Sequence, residues 1–302
     1  MNILTFDIED WYNHDDYSRD FVWEKHEVRI YDGVEKILSV LEERKLKGTF
    51  LCVGWIAEHH PKVIKDIAES GHHLGCHSYQ HELATRFTPA EFKEDTYKAK
   101  CLIEDVSGQS VDAFRVPSFS ITRDNLWTFD VLAELGFKYD SSVFPALHEF
   151  GGIPGFSAEP TILKTHNGEL KEFPICTSKV LGREIIYSGG GYFRVMPYSL
   201  IKKWTQSDDY VLAYFHPSDF DPEQPQMSQL YQNYLASGPL TYMEALFSGM
   251  LGDAGRARQV ALDFYGPIFL LYSVYDGTND KSRVIKLLEE HMDHFLQEMQ
   301  IS

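Results

Sequence analysis

Over its first 140 residues the chain alternates between two hydrophobic periods, and this constrains its fold more than any other feature. Short apolar runs at residues 2–6, 48–53, 72–76, 112–116 and 137–140 fit strands. Between them lie segments with helical spacing. Asp32 and Glu35 read as a capping box ahead of Val34, Ile37, Leu38 and Leu41. Pro61 opens a second helix with Val63, Ile64, Ile67 and Ala68 inside, and Gly71 ends it. Thr88, Pro89 and Glu91 form another capping box, for a helix running to about Val106 before Gly108. A further helix over residues 124–135 stops at Gly136. Strands alternating with helices predict a mostly parallel sheet, open or closed into a barrel, with its site at the carboxyl ends of the strands. Those ends carry chemistry. Asp7, Glu9 and Asp10 follow the first run, His77 and His81 the third, Arg115 ends the fourth, and His216 follows the apolar run 210–215.

Composition narrows the function classes. The 302 residues are 43% hydrophobic and 24% charged, as in a globular chain. With 28 Lys and Arg against 45 Asp and Glu, the formal net charge is −17, which leaves no footprint for nucleic acid or anionic lipid. The longest nearly apolar run, residues 264–275, contains Gly, Pro and Ser and falls short of the about 20 residues a membrane span needs. Residues 1–6 show no secretory leader pattern, and Cys52, Cys76, Cys101 and Cys176 are scattered without a CxxC, so the expected compartment is the cytoplasm. Residues 141–200 are richer in Gly and Pro. Ser188 to Tyr192 (SGGGY) reads as a flexible turn and lacks the pattern of a phosphate loop. Residues 227–302 read as all helix.

His77 and His81 stand at i and i+4, a spacing that on a helical turn aims two imidazoles at one metal ion, although surface neighbours share it. Asp7, Glu9 and Asp10 crowd the end of an apolar strand, where acids raise one another's pKa unless a cation compensates. Asp7 and Glu9 share a strand face, so one can bind metal while the other takes a proton. Two His and one carboxylate leave positions open for water and substrate, as in a hydrolytic metal site. Arg115 can orient a carboxylate through a bidentate pair, and His216 can act as a general acid. Read singly, each is equally a surface Arg, a solvated turn or a loop His.

Together these features resemble the polysaccharide deacetylases, the NodB-homology group or carbohydrate esterase family 4, and within it the branch found in bacterial exopolysaccharide gene clusters. The resemblance covers residues 1–235. It rests on Thr5-Phe6-Asp7-Ile8-Glu9-Asp10-Trp11, His77-Ser78-Tyr79-Gln80-His81, Phe114-Arg115-Val116-Pro117-Ser118-Phe119-Ser120, Tyr139-Asp140-Ser141-Ser142-Val143-Phe144-Pro145, and Phe215-His216-Pro217 with Asp221-Pro222-Glu223-Gln224-Pro225. Gly189-Gly190-Gly191-Tyr192-Phe193-Arg194 also resembles a segment of that branch.

The resemblance implies an α/β fold, a distorted (β/α) barrel with fewer than eight repeats, and a divalent metal ion, most commonly zinc. The implied reaction removes the acetyl group from an N-acetylated amino sugar in an oligo- or polysaccharide, free or lipid-linked. Asp7 would be the general base, held by Arg115. His77 and His81 would be metal ligands, and His216 the general acid. A backbone N–H near Ser78 and Tyr79 would help hold the oxyanion, and Tyr79, Pro117, Ser118 and Tyr192 would contact substrate. The commonest family motif has two adjacent Asp residues, the second a metal ligand. Ile8 occupies that place here, so the carboxylate ligand is Glu9, favoured by strand parity, or Asp10. Ser218 replaces the aromatic residue more common after His-Pro. Hydrolysis of another amide, or a retired, sugar-binding member of the fold, are the alternatives. Residues 236–302 are expected as a helical extension. Residues 237–299 resemble the last helices of tetracycline-repressor-type regulators, which implies a homodimer and, without a helix-turn-helix here, no DNA binding.

Overall fold

The structure is a computed structural model that describes residues 1–13, 22–146, 150–180, 183–189 and 198–221. Tyr192 and the helical extension expected over 236–302 lie outside the described residues. Those described all belong to one compact unit.

Its core is an eight-stranded sheet. In chain order the strands are β1 (Asn2–Ile8), β2 (Thr49–Cys52), β3 (His73–Cys76), β4 (Ala113–Phe114), β5 (Tyr139–Asp140), β6 (Thr161–Thr165), β7 (Gly168–Glu172) and β10 (Val211–Phe215), while β8 (Thr177–Val180) and β9 (Arg183–Ile186) form a separate antiparallel pair. Across the sheet the order is β10-β1-β2-β3-β4-β5-β7-β6, parallel throughout except for the antiparallel β6–β7 pair. This is a curled, mixed half-barrel: the mostly parallel sheet that the strand–helix alternation predicts, in the incomplete (β/α) barrel form that the family resemblance implies. β1 lies inside the sheet, with Phe6 opposite Phe215 on one side and Phe50 on the other. The Phe6 and Phe50 rings sit 4.9 Å apart. Burial of β1, β2 and β10 on both faces explains their continuous apolar sequences.

Among the described residues, six α-helices flank the sheet: α1 (Ile30–Arg44), α2 (Gly54–His59), α3 (Pro61–Glu69), α4 (Pro89–Ser107), α5 (Trp127–Glu134) and α6 (Tyr198–Ser207). The Thr88–Glu91 capping box forms, and Gly108 closes α4 in the left-handed conformation. The capping box read at Asp32 and Glu35 does not form. α1 starts three residues earlier, at Ile30, and the side chain of its N-cap residue Arg29 does not cap it. Instead the Asp10 carboxylate accepts the N–H groups of Arg29 and Ile30, so the cap comes from the far end of β1. Several elements escape the sequence reading: α2, the β6–β7 hairpin, the β8–β9 pair and α6. α2 is a short helix that ends at His59, and His60 links it to the Pro61 start of α3. The β6–β7 hairpin lies in the stretch read as Gly- and Pro-rich; Thr165 pairs with Gly168 across a two-residue turn.

Candidate active site

The candidate catalytic groups converge where β1, β3, β4 and β10 end. β1 delivers Thr5, Asp7 and Glu9 by alternation. Arg115 follows β4 and is wholly buried. Its Nη1 donates to Asp7 Oδ1 at 2.6 Å, Nη2 to Thr5 Oγ1 at 2.9 Å, and Nε to Ser141 Oγ at 3.1 Å. Its guanidinium carbon lies 5.5 Å and 5.7 Å from the Phe119 and Tyr214 ring centres. One oxygen of Asp7 is therefore fixed by the cation. The other, Oδ2, lies 4.0 Å from His77 Nε2 and 3.9 Å from His216 Nε2.

The loop after β3 carries both candidate ligand histidines, but it is not the helical turn expected from their spacing. Ser78 and His81 both take positive φ, 60° and 56°. The loop is pinned from several sides. The carbonyls of Ser78 and Tyr79 accept the first N–H groups of α2, Gly54 and Trp55, and His81 N donates to Ser78 Oγ. From α4, the Asp95 carboxylate accepts the Tyr79 N–H at 2.8 Å. Burial pushes the Asp95 pKa up to about 6 against the pull of these amide donors. The resulting loop sets the two imidazole centres 5.1 Å apart. His77 Nδ1 meets the Arg115 carbonyl at 2.7 Å, so Nδ1 carries the proton and Nε2 presents its lone pair. Burial lowers the His77 pKa to about 4, which keeps that ring neutral.

Glu9, His77 and His81 each offer a ligand atom within 4.8 Å of the others, and all three are buried. His81 Nε2 is 2.6 Å from Glu9 Oε2. One carboxylate and two imidazoles, one with its lone pair already oriented, suit a divalent cation of zinc type. Asp10 does not join them. Its Oδ2 accepts the first N–H groups of α1 and its Oδ1 that of Trp11, so of the two carboxylates left open by the sequence, only Glu9 faces the histidines.

His216 follows β10, with Nε2 3.5 Å from Glu9 Oε1 and Nδ1 3.3 Å from Asp219 Oδ2. Burial pulls its pKa down, but the Asp219 hydrogen bond and the charges of Glu9, Asp219 and Asp7 outweigh this and push it up to about 9. The His216 turn is seated on α1. A Cβ on Gly33 would lie 2.3 Å from the Pro217 carbonyl oxygen. Arg29 binds Asp221 through two hydrogen bonds, of 2.5 Å and 2.8 Å.

The residues expected to contact substrate are spread around this centre. Pro117 and Ser118 form a tight turn just after Arg115, with Ser118 and Phe119 in consecutive left-handed conformations. The Tyr79 amide, expected near the oxyanion, is engaged by Asp95, and its hydroxyl donates to Glu58 at 2.5 Å. Thr5, Ser141, Asp95 and Asp219 belong to the site but were not singled out from sequence. Thr5 was within reach, since strand alternation places it with Asp7. Ser141 and Asp95 have partners distant in the chain, whereas Asp219 lies three residues after His216 and carries no signal beyond that spacing.

Comparison with known proteins places the chain among similar sequences and folds. Residues 3–139 match the polysaccharide deacetylase family. Residues 141–258 match a domain of unknown function, DUF3473. A peptidoglycan deacetylase of Helicobacter pylori is 28% identical over 111 residues, which is 37% of this chain and 37% of that protein. A peptidoglycan-N-acetylglucosamine deacetylase of Bacillus cereus is 30% identical over 91 residues, 30% of this chain and 33% of that one. The chain thus spans about a third of the length of these curated relatives. A crystal structure of a Mycobacterium smegmatis protein, provisionally assigned as a polysaccharide deacetylase, shares the fold with a TM-score of 0.55 at 22% identity, covering 78% of this chain and 82% of that one. The boundary between the two matched segments is not a boundary of the fold. β10 and His216 lie in the second segment, yet β10 pairs with β1.

Proposed function

We propose that this protein is a divalent-metal-dependent hydrolase that removes the N-acetyl group from an amino sugar of a bacterial oligo- or polysaccharide, free or lipid-linked, in the cytoplasm. The observation that carries the reading is the convergence of an Arg-held Asp7, the Glu9, His77 and His81 cluster, and His216 within one buried centre. Glu9, His77 and His81 would hold the cation. When bound, such a cation supplies Lewis-acid polarisation of the acetyl carbonyl and makes a water molecule more acidic.

The protein's own groups do the rest. Arg115, itself held by Thr5, fixes Asp7 so that Oδ2 takes the proton of the attacking water. The water oxygen bonds to the acetyl carbon. As the carbon–nitrogen bond breaks, the leaving nitrogen needs a proton to depart as an amine. His216 supplies it from Nε2, while Asp219 accepts from Nδ1 and holds the ring. The products are acetate and the free amino sugar. In this reading Tyr79, Pro117, Ser118 and Tyr192 contact the sugar.

The test is acetate release from N-acetylated chitooligosaccharides by chelator-treated protein, before and after zinc is restored. The expected outcome is zinc-restored activity that falls by about two orders of magnitude or more in Asp7→Asn. Hydrolysis that survives both the chelator and His77→Ala would end the reading.

A further inference from the structure

Beneath Arg115 lies a second pair of buried acids that the mechanism above does not use. Asp140 on β5 and Glu172 on β7 are direct partners in the parallel register, so their side chains stand about one strand spacing apart, roughly 4.8 Å. Both are at most 1% exposed. Glu172 Oε1 accepts the Val143 N–H at 3.0 Å, and Asp140 Oδ1 accepts the Ser142 hydroxyl at 2.6 Å. Two carboxylates buried side by side are both acceptors and repel each other, so the pair keeps a proton. Both Asp140 oxygens accept from Ser142, whereas Glu172 Oε2 has no hydrogen-bond partner, which marks it as the oxygen that carries the proton.

We propose that Glu172 is held as a neutral carboxylic acid that donates to an ionised Asp140, and that this singly charged pair is a positioning element for Arg115. The connection runs through two serines. Ser142 Oγ donates to Asp140 and accepts the Val116 N–H, while Ser141 accepts Arg115 Nε through its hydroxyl and its carbonyl. Asp140 thereby fixes the backbone on both sides of the guanidinium. Charge number matters as much as geometry. Among the described residues, Arg115 from the end of β4 is a cation that acts on the pair, and Tyr210 ahead of β10 is a titratable group facing it, its hydroxyl donating to the Pro174 carbonyl. Two ionised acids behind Arg115 would compete with Asp7 for the guanidinium. One leaves Asp7 as its partner. Burial, then the charge of Asp140, raises the Glu172 pKa well above the ordinary range, which agrees with this assignment.

The consequence for catalysis rests on the proposed hydrolase, but the protonation state is read without it. Carboxyl-labelled ¹³C NMR of the full chain should show one Glu carboxyl at the protonated shift at pH 7, lost in Glu172→Gln, with a matching infrared protonated-carboxyl band. Absence of that signal from the wild-type protein would overturn the proposal whether or not the variant folds. In the acetate assay Glu172→Gln, neutral and the same shape, should keep kcat within about threefold, whereas Asp140→Asn should lower kcat about tenfold or more with little change in KM. A Gln variant as damaged as the Asn one, with the signal present, would leave Glu172 protonated but overturn its positioning role. If no variant or wild-type protein releases acetate while the signal is present, the hydrolase reading fails and the protonation assignment stands.

Discussion

Glu9 and Asp10 are adjacent in sequence and have opposite duties. Glu9 leaves β1 on the same face as Asp7 and meets the histidines, while Asp10 turns back to close the start of α1. Metal analysis separates them. Glu9→Ala should lose the bound cation, and Asp10→Ala should keep it while losing about 1 to 2 kcal/mol of stability through the missing helix cap. Asp95 offers a pH test of the loop it pins. Its folded pKa, about 6, lies above the ordinary 3.8, so the folded state holds this proton more tightly than the unfolded chain. The resulting stability is complete below pH 4 and disappears as pH rises through 6. Denaturation curves of wild type against Asp95→Asn should therefore shift in favour of the Asn variant between pH 4 and 6, by up to about 3 kcal/mol, and then level off.

At the scale of elements, the turn bearing His216 depends on how closely α1 can approach it. Gly33 is small where any Cβ would strike the Pro217 carbonyl. Gly33→Ala should lower kcat by about tenfold, with a smaller change in KM, and cost about 1 to 3 kcal/mol in thermal unfolding. β1, β2 and β10 are legible because most of their residues are buried on both faces and read as largely apolar runs. The β6–β7 hairpin is not, because its strands are largely half-buried or exposed and mix Lys, Glu and Thr with a few apolar residues. The spacing of His77 and His81 points to a shared target, yet the reason they share it is different from a helix. Left-handed Ser78 and His81, with the carbonyl and carboxylate partners of the loop, create the convergence, and periodicity carries no trace of those long-range contacts. The start of α1 was misread for the same reason: its capping group is twenty residues upstream, at Asp10.

For the whole molecule, a cation shared by Glu9, His77 and His81 ties β1 to the loop after β3 and should act as a clamp on the folded state. Zinc at about 100 times its dissociation constant should raise the unfolding free energy by about 2.7 kcal/mol, seen as a higher Tm that a chelator reverses and that His77→Ala abolishes. The pairing of β1 with β10 reaches further still. Thr5 donates to the Ala213 carbonyl across a separation of 208 residues. During synthesis at about 5 to 20 residues per second, β1 waits on the order of 10 to 40 s for that neighbour. Through this interval one edge of a strand carrying Leu4, Phe6 and Ile8 stands open, the kind of edge on which chains aggregate. Yield in a cell should thus depend on what shelters that edge while the chain is still being made, and a chain cut after residue 139 would never cover it.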